Sequence, residues 1–259
     1  MTATTRIDPR LRARRIEVKR SEGRKRLRRI VVAAAVGAVV VALWGISLTP
    51  LLDVDHIRVA GAAHTDAGAI ESALDIRRGD ALLTADVGSA ADAVAELPWV
   101  ERAEVRRAWP GAVRVEVVER VAVAAVAAKG GGWVLVDRAG NQLEVAKEPA
   151  LELVRVAGRP VAAEPGELAG ERYQGALDLA AVLPPTIRAA MVAIWPQRDG
   201  TLEASVRLRD GHDATVRFGA PDQLEAKLLA LGSVLETTDP AGLRIIDVRV
   251  PSGPALTRG

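Results

Sequence analysis

Cysteine is absent from these 259 residues. That single absence excludes disulfides, iron–sulfur clusters, thiolate zinc sites and cysteine nucleophiles. Any part of the chain outside the cytoplasm must then be stable without covalent staples, so each domain needs its own core. Histidine is scarce too, with three in the chain. His56 follows Asp53 and Asp55, but neighbours on a strand point to opposite faces, which is unhelpful for gathering metal ligands. No HExxH, SxxK or GxSxG occurs, so the common zinc-hydrolase and serine-hydrolase motifs are missing. Gly130-Gly131-Gly132 lacks the Lys-Ser/Thr and helix of a phosphate loop and reads as a hairpin turn. Carboxylate pairs are frequent, but they sit in alternating strands or at helix starts, where a solvated face accounts for them. A chain without nucleophile, metal or cofactor motif is expected to be a binding module, with no enzyme activity and no cofactor.

Charge is unevenly spread. The formal net charge is only +2, yet twelve of the 35 Lys/Arg and three of the 33 Asp/Glu fall in residues 1–29. Directly after this basic tail, Ile30–Leu52 reads IVVAAAVGAVVVALWGISLTPLL, 23 residues with no charge. As a helix it would span roughly 34 Å at about 1.5 Å per residue, enough for a hydrocarbon core of about 30 Å. Trp44 and Pro50 lie toward its distal end, where an interfacial aromatic and a helix terminator belong. A cleaved signal peptide has a shorter apolar region, and Ser47-Leu48-Thr49-Pro50 is a poor cleavage context. The expectation is an uncleaved single-pass anchor over 30–52, with residues 1–29 cytoplasmic by the positive-inside rule and the C-terminus outside. The basic tail orients the anchor and rests on anionic lipid; no nucleic acid is expected.

Two blocks follow. In residues 54–120, Val54–Val59 alternates with period two and reads as a strand. Thr65 is the expected N-cap of a helix through Leu74. Ser89, with Asp92 three residues on, is the expected cap of a second helix, which Pro98 stops. Val100–Arg107 and Val113–Val118 then form a hairpin turned by Pro110-Gly111. Two of the five tryptophans, Trp99 and Trp109, flank the first of these runs and are expected to pack at the two ends of a small core. The order is strand–helix–helix–strand–strand, with both helices on one face of a three-stranded sheet.

Residues 121–250 are mostly strand. Val121–Ala128, Trp133–Val136, Gln142–Val145, Leu151–Val156, Met191–Trp195, Leu202–Leu208, Ala214–Phe218 and Leu243–Val250 carry the β pattern. Arg172–Leu183, Pro185–Ala190 and Pro221–Glu236 read as helices. The last has a Leu224, Leu228, Leu231, Leu235 stripe, with Pro221 near its first turn. Residues 251–259 are expected to be a flexible tail. A terminal strand such as Leu243–Val250 offers a vacant edge for strand addition by another polypeptide.

Several of these segments together resemble one family. Ile57-Arg58-Val59-Ala60-Gly61, Leu97-Pro98-Trp99-Val100, Ala103-Glu104-Val105-Arg106-Arg107-Ala108-Trp109-Pro110 and Val117-Val118-Glu119-Arg120 are similar to the POTRA domain of FtsQ (DivIB) cell-division proteins. Leu135-Val136-Asp137-Arg138-Ala139-Gly140, Val216-Arg217-Phe218-Gly219 with Lys227-Leu228, and Ile246-Asp247-Val248-Arg249-Val250-Pro251 resemble the family's β domain. The pattern departs at Val121, where a proline is usual, around Ala150-Leu151, where a Leu-Pro often stands, and at Val250, where some members carry an aromatic.

The resemblance implies an α+β chain: a single-pass anchor, a POTRA (β-α-α-β-β) domain over 54–120, and a mostly antiparallel β domain over 121–250 with a C-terminal helix and strand. It implies a non-enzymatic scaffold in the plasma membrane, enriched at the division septum. Such a scaffold links early cytoplasmic division proteins to septal peptidoglycan synthases by binding FtsL- and FtsB/DivIC-type bitopic proteins. Carried over by position, the partner-binding residues are Arg249, Val250, Ser252 and Gly253. The alternatives are a POTRA-type chaperone or translocation factor that docks extended polypeptides, and a membrane-tethered cell-wall hydrolase, which the missing motifs disfavour.

Overall fold

Residues 27–42, 45 and 53–259 are described by the computed structural model. Most of the basic tail and part of the expected 30–52 span lie outside the described residues. Residues 27–42 form a helix, α1. Among the described residues no helix is long and apolar enough to cross a membrane. The chain divides into two compact units.

The first unit gathers the described residues through Ile57 with Ile76–Ala85 and Arg107–Val113. Here the chain entering the first strand is clamped by main-chain bonds. Val54 N donates to Asp80 O at 2.8 Å, and Gly79 N donates to Val54 O at 2.9 Å. Asp55 N and His56 N both donate to Gly111 O, at 2.8 and 3.2 Å. A Cβ on Gly111 would stand 3.1 Å from Asp53 O and 2.4 Å from an Asp55 carboxylate oxygen, so a side chain there would have to displace the Asp55 carboxylate. Arg107 reaches back to donate to Leu82 O and Ala85 O, at 2.9 and 2.6 Å. Trp109 is 52% exposed, so it does not cap a core as its position in the sequence suggests.

The second unit takes Arg58–Asp75, Asp86–Arg106 and Arg114–Gly259. The strands β1 (His56–Ala60), β2 (Val100–Ala108) and β3 (Ala112–Glu119) make a sheet in the order β1-β3-β2. Between β1 and β2 come α2 (Ala67–Ala73) and α3 (Val87–Ala95), which pack on one another. Both caps differ from the expected residues. Asp66 accepts from Ala69 N, and Asp86 accepts from Gly88 N and Ser89 N. In each case a carboxylate near the expected Thr65 or Ser89 takes the position, since it accepts a bond and also complements the helix dipole.

Thr65 has another task. Its N–H donates to Glu119 Oε1 at 2.7 Å, and His64 N donates to the same carboxylate at 3.0 Å. The His64 ring lies flat on Trp99, with centroids 4.3 Å apart, and its Nδ1 meets Glu119 Oε2 at 3.0 Å. Burial alone would raise the Glu119 pKa. The N–H groups of Thr65 and His64 outweigh it and hold the carboxyl at about 2. Next in sequence, Arg120 N donates to Trp99 O at 2.8 Å, and its guanidinium pairs with the buried Asp137 carboxylate at 3.0 Å. Asp137 also accepts from the Asn141 main chain and side chain, both at 2.8 Å.

The remaining nine strands form one sheet: β4 (Ala122–Ala128), β5 (Trp133–Asp137), β6 (Gln142–Ala146), β7 (Val154–Val161), β8 (Met191–Pro196), β9 (Leu202–Arg207), β10 (Asp213–Gly219), β11 (Leu243–Asp247) and β12 (Ala255–Arg258). Their order is β12-β11-β10-β9-β8-β7-β4-β5-β6. The pairs β4–β7, β7–β8 and β10–β11 are parallel and the others antiparallel. A 3-10 turn (Glu171–Tyr173) leads into α4 (Gln174–Val182), followed by α5 (Pro185–Ala190) and, after β10, α6 (Leu224–Thr237). Leu177, Leu179, Ile187, Leu228 and Leu231 from the helices share one core with Val126, Val156, Ile194, Val216 and Phe218 from the sheet.

Two boundaries move from their expected places. β7 starts at Val154, because Leu151 is fully exposed and pairs with nothing in the ladder. α6 starts at Leu224 and not at Pro221, because Gln223 takes a left-handed conformation (φ 47°). Lys227, 2% exposed, reaches back from the first turn of α6 to donate to Ala220 O at 2.8 Å and to Asp222 Oδ1 at 2.6 Å. That bond lowers the Asp222 pKa.

Candidate partner-binding edge

One end of the nine-stranded sheet is built from the last 17 residues. β10 and β11 run parallel, in the register Thr215↔Ile245, Val216↔Ile246 and Arg217↔Asp247. Val248 N, just past β11, donates to Arg217 O at 3.0 Å, and its side chain is fully buried. The chain then turns through Arg249–Pro254 and returns as β12, antiparallel to β11, with Ile246↔Leu256 and Asp247↔Ala255 opposed.

This corrects the expected edge. Leu243–Val250 is not the terminal strand: β11 ends at Asp247 and has neighbours on both sides. The expected flexible tail contains the true edge strand, β12, all four of whose residues are exposed. Among the described residues β12 pairs with β11 alone, so one side of its backbone faces no strand.

All four sequence-selected residues lie together in the turn between β11 and β12. The Arg249 guanidinium grips Asp247 with Nε at 3.0 Å from both carboxylate oxygens and a terminal nitrogen at 2.6 Å from Oδ2. Arg249 N also donates to Asp247 Oδ1 at 3.1 Å. The bond to Arg249 holds the Asp247 carboxyl below its ordinary value, and Asp247 raises the pKa of Arg249 in return. The stem of Arg249 lies over Gly219, where an added Cβ would come within 2.9 Å of Arg249 Cγ. Val250 projects, 61% exposed, and its carbonyl accepts from Gly253 N at 3.1 Å. Ser252 and Gly253 are exposed at the tip.

Sequence reasoning missed Leu256 and Thr257 of β12. The signal was a four-residue Ala-Leu-Thr-Arg run shut off by Pro251 and Pro254, too short to establish a period. The end of the ladder is closed by two further bonds. Gly259 N donates to Gly242 O at 3.0 Å, and Arg258 donates to Asp239 O at 3.1 Å. The arrangement offers an open backbone ladder beside a fixed, cation-bearing turn. Among the described residues no three His, Asp or Glu gather to hold a metal.

The family model described as "POTRA domain, FtsQ-type" matches residues 52–120, and that described as "Cell division protein FtsQ/DivIB, C-terminal" matches residues 124–249. Cell division protein FtsQ of Mycobacteroides abscessus is 30% identical over 286 residues, covering 96% of this chain and 86% of that protein. Cell division protein FtsQ of Corynebacterium glutamicum is 33% identical over 123 residues, 46% of this chain and 55% of that protein, so that match spans about half the relative's length. The solved major extracytoplasmic domain of DivIB from Geobacillus stearothermophilus aligns with 47% of this chain and 98% of its own, at 19% identity and a TM-score of 0.31. With one relative alike over nearly its whole length and two family models matching in order, the chain belongs to the FtsQ/DivIB family of cell division proteins.

Proposed function

We propose that this chain is a non-enzymatic scaffold of the division machinery, held in the plasma membrane by residues 30–52 and enriched at the septum. Its N-terminal tail faces the cytoplasm and residues from 53 onward lie outside. It links early cytoplasmic division proteins to septal peptidoglycan synthesis by binding FtsL- and FtsB/DivIC-type bitopic proteins. The observation that carries the proposal is the unpaired side of β12, next to the Arg249–Gly253 turn. A partner segment adds there as a further strand. Main-chain bonds supply the affinity, and the Arg249 turn and Leu256 set the register.

Proline at Leu256 and at Thr257, introduced separately, tests this. Successive residues of an edge strand aim their N–H groups to opposite sides, so one of the two variants loses a donor on the free side. That variant, still folded by circular dichroism, is expected to lose co-purification with FtsL/FtsB-type partners. Retained co-purification by both folded variants would sink the strand-addition reading.

A further inference from the structure

A cleft of about 900 Å3 opens beside α4, well inside the second unit. Arg159 near the end of β7, Arg172 in the 3-10 turn and Arg198 in the β8–β9 turn all line it. Among the described residues none of these three guanidinium groups has an ion pair or a hydrogen bond; Arg172 only stands 5.8 Å from the Tyr173 ring centre. Asp178, which also lines the cleft, is taken by Arg138 at 3.1 Å, leaving Glu171 as the one acid in the lining without an ion pair. Three unneutralised cations therefore face one acid across a concave surface. Like charges held together without counter-ions raise the energy of the empty site and favour an anion.

The positions of Arg159 and Arg172 are coupled through Tyr173. Its hydroxyl donates to Arg159 O, and while burial raises its pKa, Arg172 and Arg159 both pull it back. Guanidinium forks pair bidentately with phosphate oxyanions. At about 900 Å3 the cleft is much larger than one phosphate group and has room for several linked ones. A smaller hollow of about 300 Å3 shares Arg159 and Arg172 and sets them, with Lys129, against Glu164 and Glu167; in the larger cleft one of the two acids, Asp178, is already paired with Arg138.

We infer that this cleft binds a flexible phosphodiester chain without bases, through Arg159, Arg172 and Arg198. Two features set the ligand class. β8 and β9 are interior strands, so the cleft presents no vacant ladder to a polypeptide backbone. No aromatic ring lines the larger cleft, so nucleic-acid bases find no stacking platform. The inference stands on residues separate from the β12 edge and does not depend on it.

The test uses the full-length chain in detergent micelles and a fluorescent glycerol-phosphate oligomer followed by anisotropy. Binding is expected at low salt and should weaken as salt rises. Arg159→Gln, Arg172→Gln and Arg198→Gln should each weaken it about tenfold, the loss of one charge-assisted contact. Arg114→Gln, outside the cleft, should leave it unchanged. Melting temperatures should hold, because among the described residues the three guanidinium groups make no hydrogen bond or ion pair; Arg198→Gln, in an exposed turn, remains decisive if another variant unfolds. No binding at low salt overturns the inference. So does an equal loss with Arg114→Gln, displacement by polyglutamate of matched charge, tighter binding of oligothymidylate, or full displacement by inorganic phosphate at matched phosphate concentration.

Discussion

Glu119 ties together two segments far apart in the chain. It accepts N–H groups from His64 and Thr65, 55 and 54 positions earlier in the chain. Glu119→Gln keeps the size of the side chain but removes the charge that these donors face. It is expected to cost about 1.5–3 kcal/mol, the usual range for hydrogen bonds to a charged group, read by urea unfolding. The pH dependence follows from the direction of the shift. The carboxyl is at about 2 in the folded chain against 4.5 as its ordinary value, so its contribution is complete above about 4.5 and disappears as pH falls toward 2. Wild-type stability should thus fall more steeply than that of Glu119→Gln between pH 5 and pH 2. The Val-x-Glu-Arg motif is visible in the sequence, but its partners are not: no periodicity links residues more than fifty positions apart. Lys227 is similar, since a lysine three residues into a helix reads as solvated, and only the fold shows it buried against Ala220 O.

At the scale of elements, the β2–β3 hairpin and the apolar stripe of α6 were legible, because alternation and helical spacing survive in a short window. Leu228 lies in that stripe and is buried, so Leu228→Asp should unfold the β domain, seen as loss of its cooperative thermal transition. The start of α6 was not legible. It depends on Gln223 adopting φ 47° and on the reach of Lys227, neither of which is a propensity. Gly219 joins β10 to this turn with φ +67° and lies under the Arg249 stem. Gly219→Ala should cost about 1–2 kcal/mol for the left-handed backbone alone. It should also displace Arg249 and weaken partner binding more than a matched Gly200→Ala, whose added Cβ meets nothing within 4 Å. Equal binding by both variants would detach the turn from the edge.

At the scale of the molecule, β12 is an addition to a sheet that is already closed around its core. None of its residues is buried, whereas Ile246 of β11 is fully so. A chain ending at Gly253 should therefore keep its cooperative unfolding, losing at most a few kcal/mol, yet fail to retain FtsL/FtsB-type partners in co-purification. Persistent partner binding by that truncation would place the interface elsewhere. The sequence by itself determined the helices and every strand but β12, the β-α-α-β-β order, the turn at Pro110-Gly111 and the family, because local period, turn residues and motif order are properties of neighbouring positions. It also pointed to Arg249–Gly253. Only the tertiary structure decided that Arg249 and Val250 lie in the turn with Ser252 and Gly253 and not in the strand. The pairing of Ala255–Arg258 depends on where Leu243–Asp247 already lies against β10. The same holds for the arginine cleft: Arg159, Arg172 and Arg198 come from three separate segments, and only folding makes them one charged surface.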